Sequence, residues 1–445
     1  MVSFSNIYFI ILAAGKGSRM NSTKPKILHE IFHTPMLELL IENINQNNIN
    51  TINMVISEEG NDIKNLFGAN KQINYITQKE QLGTAHAVKV ALDEGTIPED
   101  GTLIILYGDT PFITINTINR LAEKIEQGYF AAVAAFHAKG ENQYGRLCVN
   151  DNKLEKIIEF KDASAAEKSI TLCNSGIMAL NLNIARALID KIDNNNIKKE
   201  YYLTDVIAKL NQLAKDSTYI EVSSTEVQGV NNKFELANAT KYYLMMNRNN
   251  ALTQGVTLID PESCYLGHNI KFGKDVVIEP NVTIFAHVEI GDKVTIKAFS
   301  YIEDAVIDAE VEIGPYARIR PKSKIASKVK IGNFVEIKNS VIKFSSKINH
   351  LSYIGDSEIG AEVNIGAGSI TCNYDGFKKH KTIIEDEVFI GSNSALIAPL
   401  HIGKGSIIGA GSTITNDIKQ NSVIIARSKQ NKIADASDFK NKKNT

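Results

Sequence analysis

The chain has 445 residues, a formal net charge of −1 at pH 7, and a composition that is 43% hydrophobic and 22% charged. This length supports two or three domains, and the composition is typical of a soluble globular protein. The near-neutral charge gives no electrostatic reason to expect binding to nucleic acid or to an anionic membrane. The four cysteines show no zinc-type spacing, so we expect free thiols in a reducing cytoplasm.

The first half of the chain alternates strand-like and helix-like segments, which predicts an α/β domain with a mostly parallel sheet. The predicted strands are 8–12, 52–56, 103–107 and 131–136, and the predicted helices include 36–45 and 85–94. The apolar run 7–14 has no basic residue before it and is too short to span a bilayer, which favours a buried strand over a signal peptide. Ligands of such sheets bind beyond the carboxyl ends of the strands, so the loops after Leu12 and Tyr107 are candidate binding loops.

The first of these loops reads LAAGKGSRM over residues 12–20 and is followed by a Pro-Lys pair. Gly15 and Gly17 allow backbone N–H groups to approach a phosphate closely. The cations that would face a polyphosphate are Lys16, Arg19 and Lys26. The loop is neither a Walker A motif nor a GxGxxG dinucleotide motif, and taken alone it is weak evidence for function.

A helix is predicted from Asn232 to Gln254, with Asn232 as its N-cap and Gly255 as its end. It is expected to link the α/β domain to the C-terminal half of the chain.

Aliphatic residues then recur every six positions, a period that fits neither an α-helix nor a hairpin meander. One run is Ile278, Ile284, Ile290, Ile296 and Ile302, and further runs begin at Ile313 and Ile384. This period predicts a solenoid of very short strands with a shared aliphatic interior and small residues at tight corners. The expected corner residues are Gly291, Ala298, Gly314, Gly332, Gly391 and Gly403. The segment Thr371–Glu385 breaks the rhythm and is predicted to be an inserted loop, whereas the polar tail 428–445 is expected to be frayed.

The glycine loop with its Pro-Lys pair resembles the signature of sugar-1-phosphate nucleotidyltransferases. The other motifs that match one branch of that superfamily are Gln78, Gln81-Leu82-Gly83-Thr84, Tyr107-Gly108-Asp109, Tyr144-Gly145-Arg146, Glu159 in IIEFKD, Asn174 in NSG, Glu200-Tyr201-Tyr202 and Gly229-Val230-Asn231-Asn232. With the solenoid behind them, the chain resembles the bifunctional bacterial N-acetylglucosamine-1-phosphate uridylyltransferases/glucosamine-1-phosphate N-acetyltransferases over all but its tail. The resemblance implies an α/β fold with a Rossmann-like nucleotidyltransferase domain (1–231), a helical linker (232–255), a left-handed parallel β-helix of hexapeptide repeats (256–427) and a C-terminal tail (428–445).

In the N-terminal domain the resemblance implies a site for UTP and the UDP-sugar. Its residues would be Leu12, Ala13, Ala14, Gly15, Lys26, Gln78, Gly83, Thr84, Tyr107, Gly108, Asp109, Gly145, Glu159, Asn174 and Asn231. Gln78 and Thr84 would contact the uracil, whereas Gly145, Glu159 and Asn174 would hold N-acetylglucosamine. Asp109 and Asn231 would bind Mg²⁺, which prefers oxygen ligands. Arg19 and Lys26 would stabilise the negative charge that develops during transfer.

In the solenoid the resemblance implies an acetyltransferase site, with His350 as general base. The residues that would bind glucosamine phosphate are Arg320, Lys338, Tyr353, Asn364 and Lys379. Those that would bind acetyl-CoA are Ala367, Asn373, Tyr374, Ser392, Ala410 and Arg427. The resemblance also implies a homotrimer with this site between subunits.

Two alternatives remain open on the sequence. One is a monofunctional sugar-1-phosphate nucleotidyltransferase whose β-helix is only regulatory. The other makes the solenoid a scaffold for trimerisation or protein binding. His350, Lys338 and the Asn373–Tyr374 insertion argue against the first, and charged residues at both sites argue against the second.

Overall fold

The computed structural model describes residues 6–15, 17–45, 51–68, 70–94, 97–138, 140, 142–150, 153–431, 433 and 436–437. Lys16 and most of the predicted tail therefore lie outside the described residues. The chain divides into two compact units, Met1–Tyr242 and Tyr243–Thr445. None of the helices in the described part of the chain has the length and hydrophobicity needed to cross a membrane.

The first unit is an α/β fold around a mixed, mostly parallel sheet, as the sequence predicts. Its strands are β1 (Ile7–Leu12), β2 (Glu30–Ile31), β3 (Thr34–Pro35), β4 (Ile52–Ser57), β5 (Ile73–Gln78), β6 (Thr102–Tyr107), β7 (Ala131–His137), β8 (Arg146–Asn150), β9 (Lys153–Ile158), β10 (Leu172–Asn181) and β11 (Ser217–Glu221). Its helices are α1 (Met36–Ile44), α2 (Asn61–Phe67), α3 (Thr84–Asp93), α4 (Ile115–Glu126), α5 (Ala165–Lys168), α6 (Leu182–Ile189) and α7 (Asp205–Gln212), with short 3₁₀ turns at Ser18–Met20 and Lys26–Leu28.

The main sheet has the order β11-β7-β10-β6-β1-β4-β5, with β8 and β9 attached beside β10. Strands β6, β1, β4 and β5 are parallel, so their carboxyl ends meet at one edge. Strand β10 is antiparallel to β6 and β7, and therefore begins at that same edge. Apolar side chains cover both faces of the sheet, because helices pack on each side. The topology is Rossmann-like and brings polar loops from distant parts of the chain together.

Helix α8 (Lys233–Thr253) confirms the predicted helix, and the boundary between the two units falls within it. The Asn232 side-chain oxygen accepts a hydrogen bond from the Glu235 backbone N–H at 2.8 Å, which caps the first turn. Gly255 follows the helix with φ of 90°, a backbone conformation that favours glycine.

The second unit is a solenoid of three parallel sheets. The first contains Thr257–Leu258, Val277–Ile278, Thr295–Ile296, Glu312–Ile313, Lys330–Asn333, Lys347–His350, Asn364–Ile365, Phe389–Ile390, Ile407–Ile408 and Val423–Ile424. The second contains Tyr265–Leu266, Thr283–Ile284, Tyr301–Ile302, Arg318–Ile319, Glu336–Lys338, Tyr353–Gly355, Ile370–Cys372, Ala395–Ile397 and Thr413–Ile414. The third contains Lys271–Phe272, Glu289–Ile290, Ala305–Ile307, Ser323–Ile325, Val341–Ile342, Ser357–Ile359, Thr382–Ile384 and Leu400–Ile402. A 3₁₀ turn at Pro261–Ser263 precedes the second strand of the unit.

The six-residue rhythm is the repeat of one strand and one corner, and three repeats complete a coil. Ile278 pairs in register with Ile296, which pairs with Ile313 in the next coil. These side chains are fully buried in one continuous aliphatic core. The rhythm restarts at Ile313 because the repeat ending at Ile307 is one residue shorter. This arrangement of short stacked strands is consistent with the predicted left-handed β-helix.

The predicted small residues do not create the corners by adopting unusual backbone angles. Among the six expected corner residues only Gly314 has a positive φ, and most left-handed corner positions are non-glycine residues such as Asn281 and Lys293. The glycines are required instead for close packing between coils. A Cβ atom at Gly291 would lie 2.6 Å from the backbone nitrogen of Ala309 in the next coil.

Candidate active sites

A cavity of about 270 Å³ lies in the first unit, where the carboxyl ends of the parallel strands meet. The predicted residues that line it are Leu12, Ala13, Ala14, Gly15, Lys26, Gln78, Gly83, Thr84, Tyr107 and Asp109. Gln81 and Glu200, which belong to matched motifs, also line it. The sheet topology therefore gathers side chains and backbone from four strand ends into one site.

Glycines at and next to this cavity allow close packing. Gly83 has φ of 122°, and a Cβ there would lie 2.5 Å from the carbonyl oxygen of Tyr201. Gly17 has φ of 60°, and a Cβ there would lie 2.6 Å from Cβ of Lys26. Gly17 thus serves the packing of Lys26. A Cβ at Gly15 would meet no atom within 4 Å, so the backbone there is open to a ligand.

Opposite charges meet at the rim of this cavity. The ammonium of Lys26 forms an ion pair with Asp109, and both side chains are largely buried. Lys26 Nζ also donates to the Asn231 side-chain oxygen at 3.1 Å, and Arg19 donates to the same oxygen at 2.8 Å. Glu235 accepts hydrogen bonds from the backbone and side-chain nitrogens of Asn231, which turns the amide oxygen towards the cations. The two predicted metal ligands therefore already present oxygen atoms to one cationic group.

Tyr107 and Thr84 line the cavity and are hydrogen-bonded to each other. The bond joins the two hydroxyls, and the Thr84 oxygen accepts from the backbone N–H of Leu203 at 3.0 Å. Burial, followed by the nearby charge of Glu159, raises the pKa of Tyr107 well above its usual value. Gly176 is needed beside this ring, because a Cβ there would lie 2.7 Å from it.

The residues predicted to hold the sugar lie outside the lining of this cavity. The backbone N–H of Asn174 donates to the carbonyl oxygen of Gly145 at 2.9 Å, so these two residues are adjacent. Glu159 accepts a hydrogen bond from Thr204, and burial raises the pKa of its carboxyl group. Gly108 connects the ends of β6 and β1, since its N–H donates to the carbonyl oxygen of Leu12 at 3.0 Å.

In the solenoid, one corner of successive coils carries Asn333 followed by a column of predicted residues. Backbone hydrogen bonds connect each corner to the next, from Asn333 through His350, Ala367 and Ser392 to Ala410. The guanidinium of Arg427 then donates to the carbonyl oxygen of Ala410 at 2.5 Å. The column therefore runs along the solenoid axis from the predicted base to the predicted CoA-binding residues.

Three cations converge on the neighbouring sheet. Lys338 Nζ and Lys379 Nζ lie within hydrogen-bonding reach of each other, and this contact is the largest cause of a lowered pKa at Lys338. Burial and the charge of Arg320 lower that pKa further. Arg320 itself pairs with Glu336 at 2.8 Å. The carboxylate of Asp356 acts in the opposite direction on Lys338, and cations held together in this way are typical of an anion-binding site.

The predicted insertion folds back against the same region. Asn373 is almost fully buried, and its amide nitrogen donates to Asp356 and lies 3.5 Å from the Tyr353 hydroxyl. Tyr374 is exposed, and its hydroxyl donates to the carbonyl oxygen of Gly376 at 2.6 Å. Asn364 lies on the sheet that carries His350, where it pairs in register with Lys347 and Phe389.

Comparison with known proteins bears on both halves. Residues 9–175 match the family model described as a MobA-like NTP transferase domain, and residues 301–431 match the GMPPB C-terminal domain. The curated protein "Bifunctional protein GlmU" of Bartonella bacilliformis is 45% identical over 96% of this chain and 95% of its own length. The chain belongs to the bifunctional GlmU family. Its GlmU relatives in Zymomonas mobilis and Thermosipho melanesiensis are each 43% identical, over 98% and 95% of this chain and 97% and 95% of their own lengths.

Among solved structures, a putative glucose-1-phosphate thymidylyltransferase from Bacillus anthracis covers 53% of the chain and 94% of its own length. It has 20% identity and a TM-score of 0.44.

The contacts within these candidate sites include residues to which the sequence analysis gave no role. Glu235 orients Asn231, and Gln81 donates to the carbonyl oxygen of Ala14 at 2.7 Å. In the solenoid, Asn333 Oδ1 lies 2.9 Å from His350 Nδ1. The position of Asn333 could have been predicted from the coil length, because this residue precedes His350 by one coil at the same corner.

Proposed function

We propose that this chain is a two-site enzyme of UDP-N-acetylglucosamine synthesis. The solenoid site acetylates glucosamine-1-phosphate with acetyl-CoA, and the α/β site transfers the uridylyl group of UTP to N-acetylglucosamine-1-phosphate with release of pyrophosphate. The similarity to bifunctional relatives extends over 96% of the chain, and this favours a two-site enzyme over a monofunctional nucleotidyltransferase. The three cations on the solenoid support it, because the substrate proposed for this unit carries a phosphate group.

In uridylyl transfer a phosphate oxygen of the sugar attacks the α-phosphorus of UTP in line, and the bond to pyrophosphate breaks. No protein nucleophile is required, so catalysis consists of positioning and charge stabilisation. The open backbone at Gly15 would approach the phosphates, and Arg19 and Lys26 would neutralise charge that develops on them. The hydrogen bonds of Tyr107 and Thr84 would hold the inner wall of the cavity in place.

The proposed uridylyl transfer includes a divalent metal, and the residues present fit one. Asp109 and Asn231 offer the hard oxygen donors that Mg²⁺ prefers, and both already contact a cationic group, Lys26 Nζ. When bound, Mg²⁺ supplies positive charge to the phosphates. Lys26 would then be available to a phosphate oxygen, and Glu235 would still orient the Asn231 oxygen.

In acetyl transfer the amine of glucosamine-1-phosphate attacks the thioester carbon of acetyl-CoA, and the carbon–sulfur bond breaks. His350 removes a proton from the attacking amine and returns one to the departing thiolate. Asn333 is suited to fix the imidazole, because an amide oxygen accepts from Nδ1–H and leaves Nε2 as the base. Arg320, Lys338 and Lys379 would bind the sugar phosphate, while the column from Ala367 to Arg427 would carry the CoA.

A homotrimer is part of this proposal, with the acetyltransferase site between subunits. An exposed ladder of stacked rings, Phe299, Tyr316 and Phe334, runs beside the His350 corner with centroids 4.8 and 5.2 Å apart. An apolar surface of this kind favours burial in an assembly. Fully active acetyl transfer by a monomer at low protein concentration would contradict the shared site.

The four free thiols support a reducing, cytoplasmic location.

Mass spectrometry of the products tests the whole proposal. Purified protein with glucosamine-1-phosphate, acetyl-CoA, UTP and Mg²⁺ should form UDP-N-acetylglucosamine, and N-acetylglucosamine-1-phosphate should accumulate when UTP is omitted. Formation of the UDP-sugar only from added N-acetylglucosamine-1-phosphate would show that the solenoid is not an acetyltransferase.

A further inference from the structure

Gln78, at the carboxyl end of β5, is held by a histidine that the proposed mechanism does not use. Its side chain is 4% exposed and lines the 270 Å³ cavity. Its amide nitrogen lies 3.0 Å from Nδ1 of His86, which lies in the first turn of α3. The same nitrogen donates to the carbonyl oxygen of Gly83 at 3.4 Å.

These two contacts determine which end of the Gln78 amide is held by the protein and which end is left for a ligand. A backbone carbonyl oxygen only accepts hydrogen bonds, so the amide terminus next to Gly83 must be the NH₂ group. His86 Nδ1 contacts that same terminus and must therefore also accept, with the ring proton on Nε2. The histidine and the carbonyl thus hold the NH₂ group together, and the amide oxygen of Gln78 is the end left for a ligand.

The orientation of this amide matters for a pyrimidine. Position N3 of uracil carries a hydrogen-bond donor, whereas N3 of cytosine is an acceptor beside an amino group. We propose that His86 is a positioning residue that presents the Gln78 oxygen to the base and so makes the site select UTP over CTP. This inference rests on the proposed uridylyl transfer and extends it to the origin of base selectivity.

The surroundings of His86 allow the proposal to be tested by replacing its side chain with alanine. His86 also lines a second cavity of about 330 Å³, together with Leu82, Lys89, Asp190 and Tyr201, and Gln78 is not among the residues that line it. Because that space is already open, an alanine at position 86 leaves a gap, and the Gln78 amide keeps only its longer contact, to the carbonyl oxygen of Gly83 at 3.4 Å. The orientation of the amide is then held less firmly, and an amide that rotates presents NH₂ to the base and accommodates cytosine.

The experiment measures dissociation constants for UTP and CTP by calorimetry, together with turnover of each nucleotide with N-acetylglucosamine-1-phosphate. His86→Ala should lower the CTP/UTP ratio of dissociation constants by about tenfold or more, equivalent to about 1.4 kcal/mol. His86→Asn, whose amide oxygen can replace the Nδ1 acceptor, should stay within about threefold of the unsubstituted chain. Lys89→Ala, one turn along α3 and lining the same second cavity, is the matched control and should leave the ratio unchanged.

An unchanged ratio in His86→Ala, or an equal loss of affinity for both nucleotides, would overturn the proposal. Such a result in a chain that still makes UDP-N-acetylglucosamine would leave the proposed function intact. Selective UTP binding that depends on His86, without any turnover, would instead refute the proposed function and support the role of His86. An unsubstituted chain that binds neither nucleotide contradicts both.

Discussion

The two units assemble their sites in different ways. In the α/β unit, Leu12, Gln78 and Tyr107 are far apart in sequence and meet only because parallel strands end at a common edge. In the solenoid, the residues of one column are separated by coil lengths, so His350 and Ala367 are neighbours because the coil between them has 17 residues. The first site therefore depends on the topology of the sheet, whereas the second depends on the stacking of coils at one corner. The comparison predicts two independent activities that separate under mutation.

The largest separation is expected at His350. His350→Ala should lower acetyl transfer by about 10²–10⁴-fold, because the attacking amine loses its base. Uridylyl transfer by the same protein should stay near the unsubstituted level, as measured with N-acetylglucosamine-1-phosphate and UTP. His401→Ala removes an exposed histidine of the same unit, paired with Glu385, and is the control. Equal loss of both activities would indicate a folding defect instead of a catalytic role.

The reciprocal change is Asp109→Ala. It should lower UDP-sugar formation by about 10²–10³-fold, because the site loses an oxygen ligand and the partner of Lys26. Acetyl transfer, measured as release of the CoA thiol, should be unaffected. Asp100→Ala, an exposed change before β6, is the matched control. Normal Mg²⁺-dependent turnover by Asp109→Ala would rule out the assigned role of this carboxylate.

A smaller effect is expected from Lys338→Met. The Michaelis constant for glucosamine-1-phosphate should rise by about 10–100-fold, since one charge-assisted hydrogen bond to the phosphate is lost. The constant for acetyl-CoA should change little, which separates phosphate binding from general damage. Lys343→Met alters an exposed lysine a few residues further on and should leave both constants unchanged. An unaltered constant for the sugar phosphate in Lys338→Met would place the anion site elsewhere.

The smallest effect is a shift with pH. Because Lys379 lowers the pKa of Lys338, the proton leaves Lys338 at a lower pH than from an ordinary lysine, whose pKa is about 10.4. The Michaelis constant for glucosamine-1-phosphate should therefore be flat below that lowered pKa and rise as pH increases through it. In Lys379→Met the rise should move to higher pH, because the neighbouring charge is gone. A rise at the same pH in both proteins would show that Lys379 does not act on Lys338.

The sequence predicts the solenoid well because its period is local. Burial of Ile284, Ile296 and Ile302 follows from the six-residue spacing alone. The backbone at the corners could not be predicted in the same way, because side chains such as Lys293 tolerate a positive φ only under the constraint of the stacked coils. Motif matches also predict most of the cavity lining in the α/β unit.

The supporting contacts were not accessible from the sequence. Glu235 reaches Asn231 from the first turn of α8, and His86 reaches Gln78 from α3, so both contacts depend on how a helix packs beside a strand end. No spacing rule encodes that packing. Asn373 shows the same limit, because its motif match suggests a CoA contact while its side chain is bound to Asp356.

The most direct test of two independent sites is complementation between the two inactive proteins. The His350→Ala and Asp109→Ala chains are purified separately, mixed, and supplied with glucosamine-1-phosphate, acetyl-CoA, UTP and Mg²⁺. The mixture should form UDP-N-acetylglucosamine although neither protein does so alone, because the acetylated sugar phosphate made by one diffuses to the other. A mixture as inactive as its components, with each remaining single activity intact, would contradict the account.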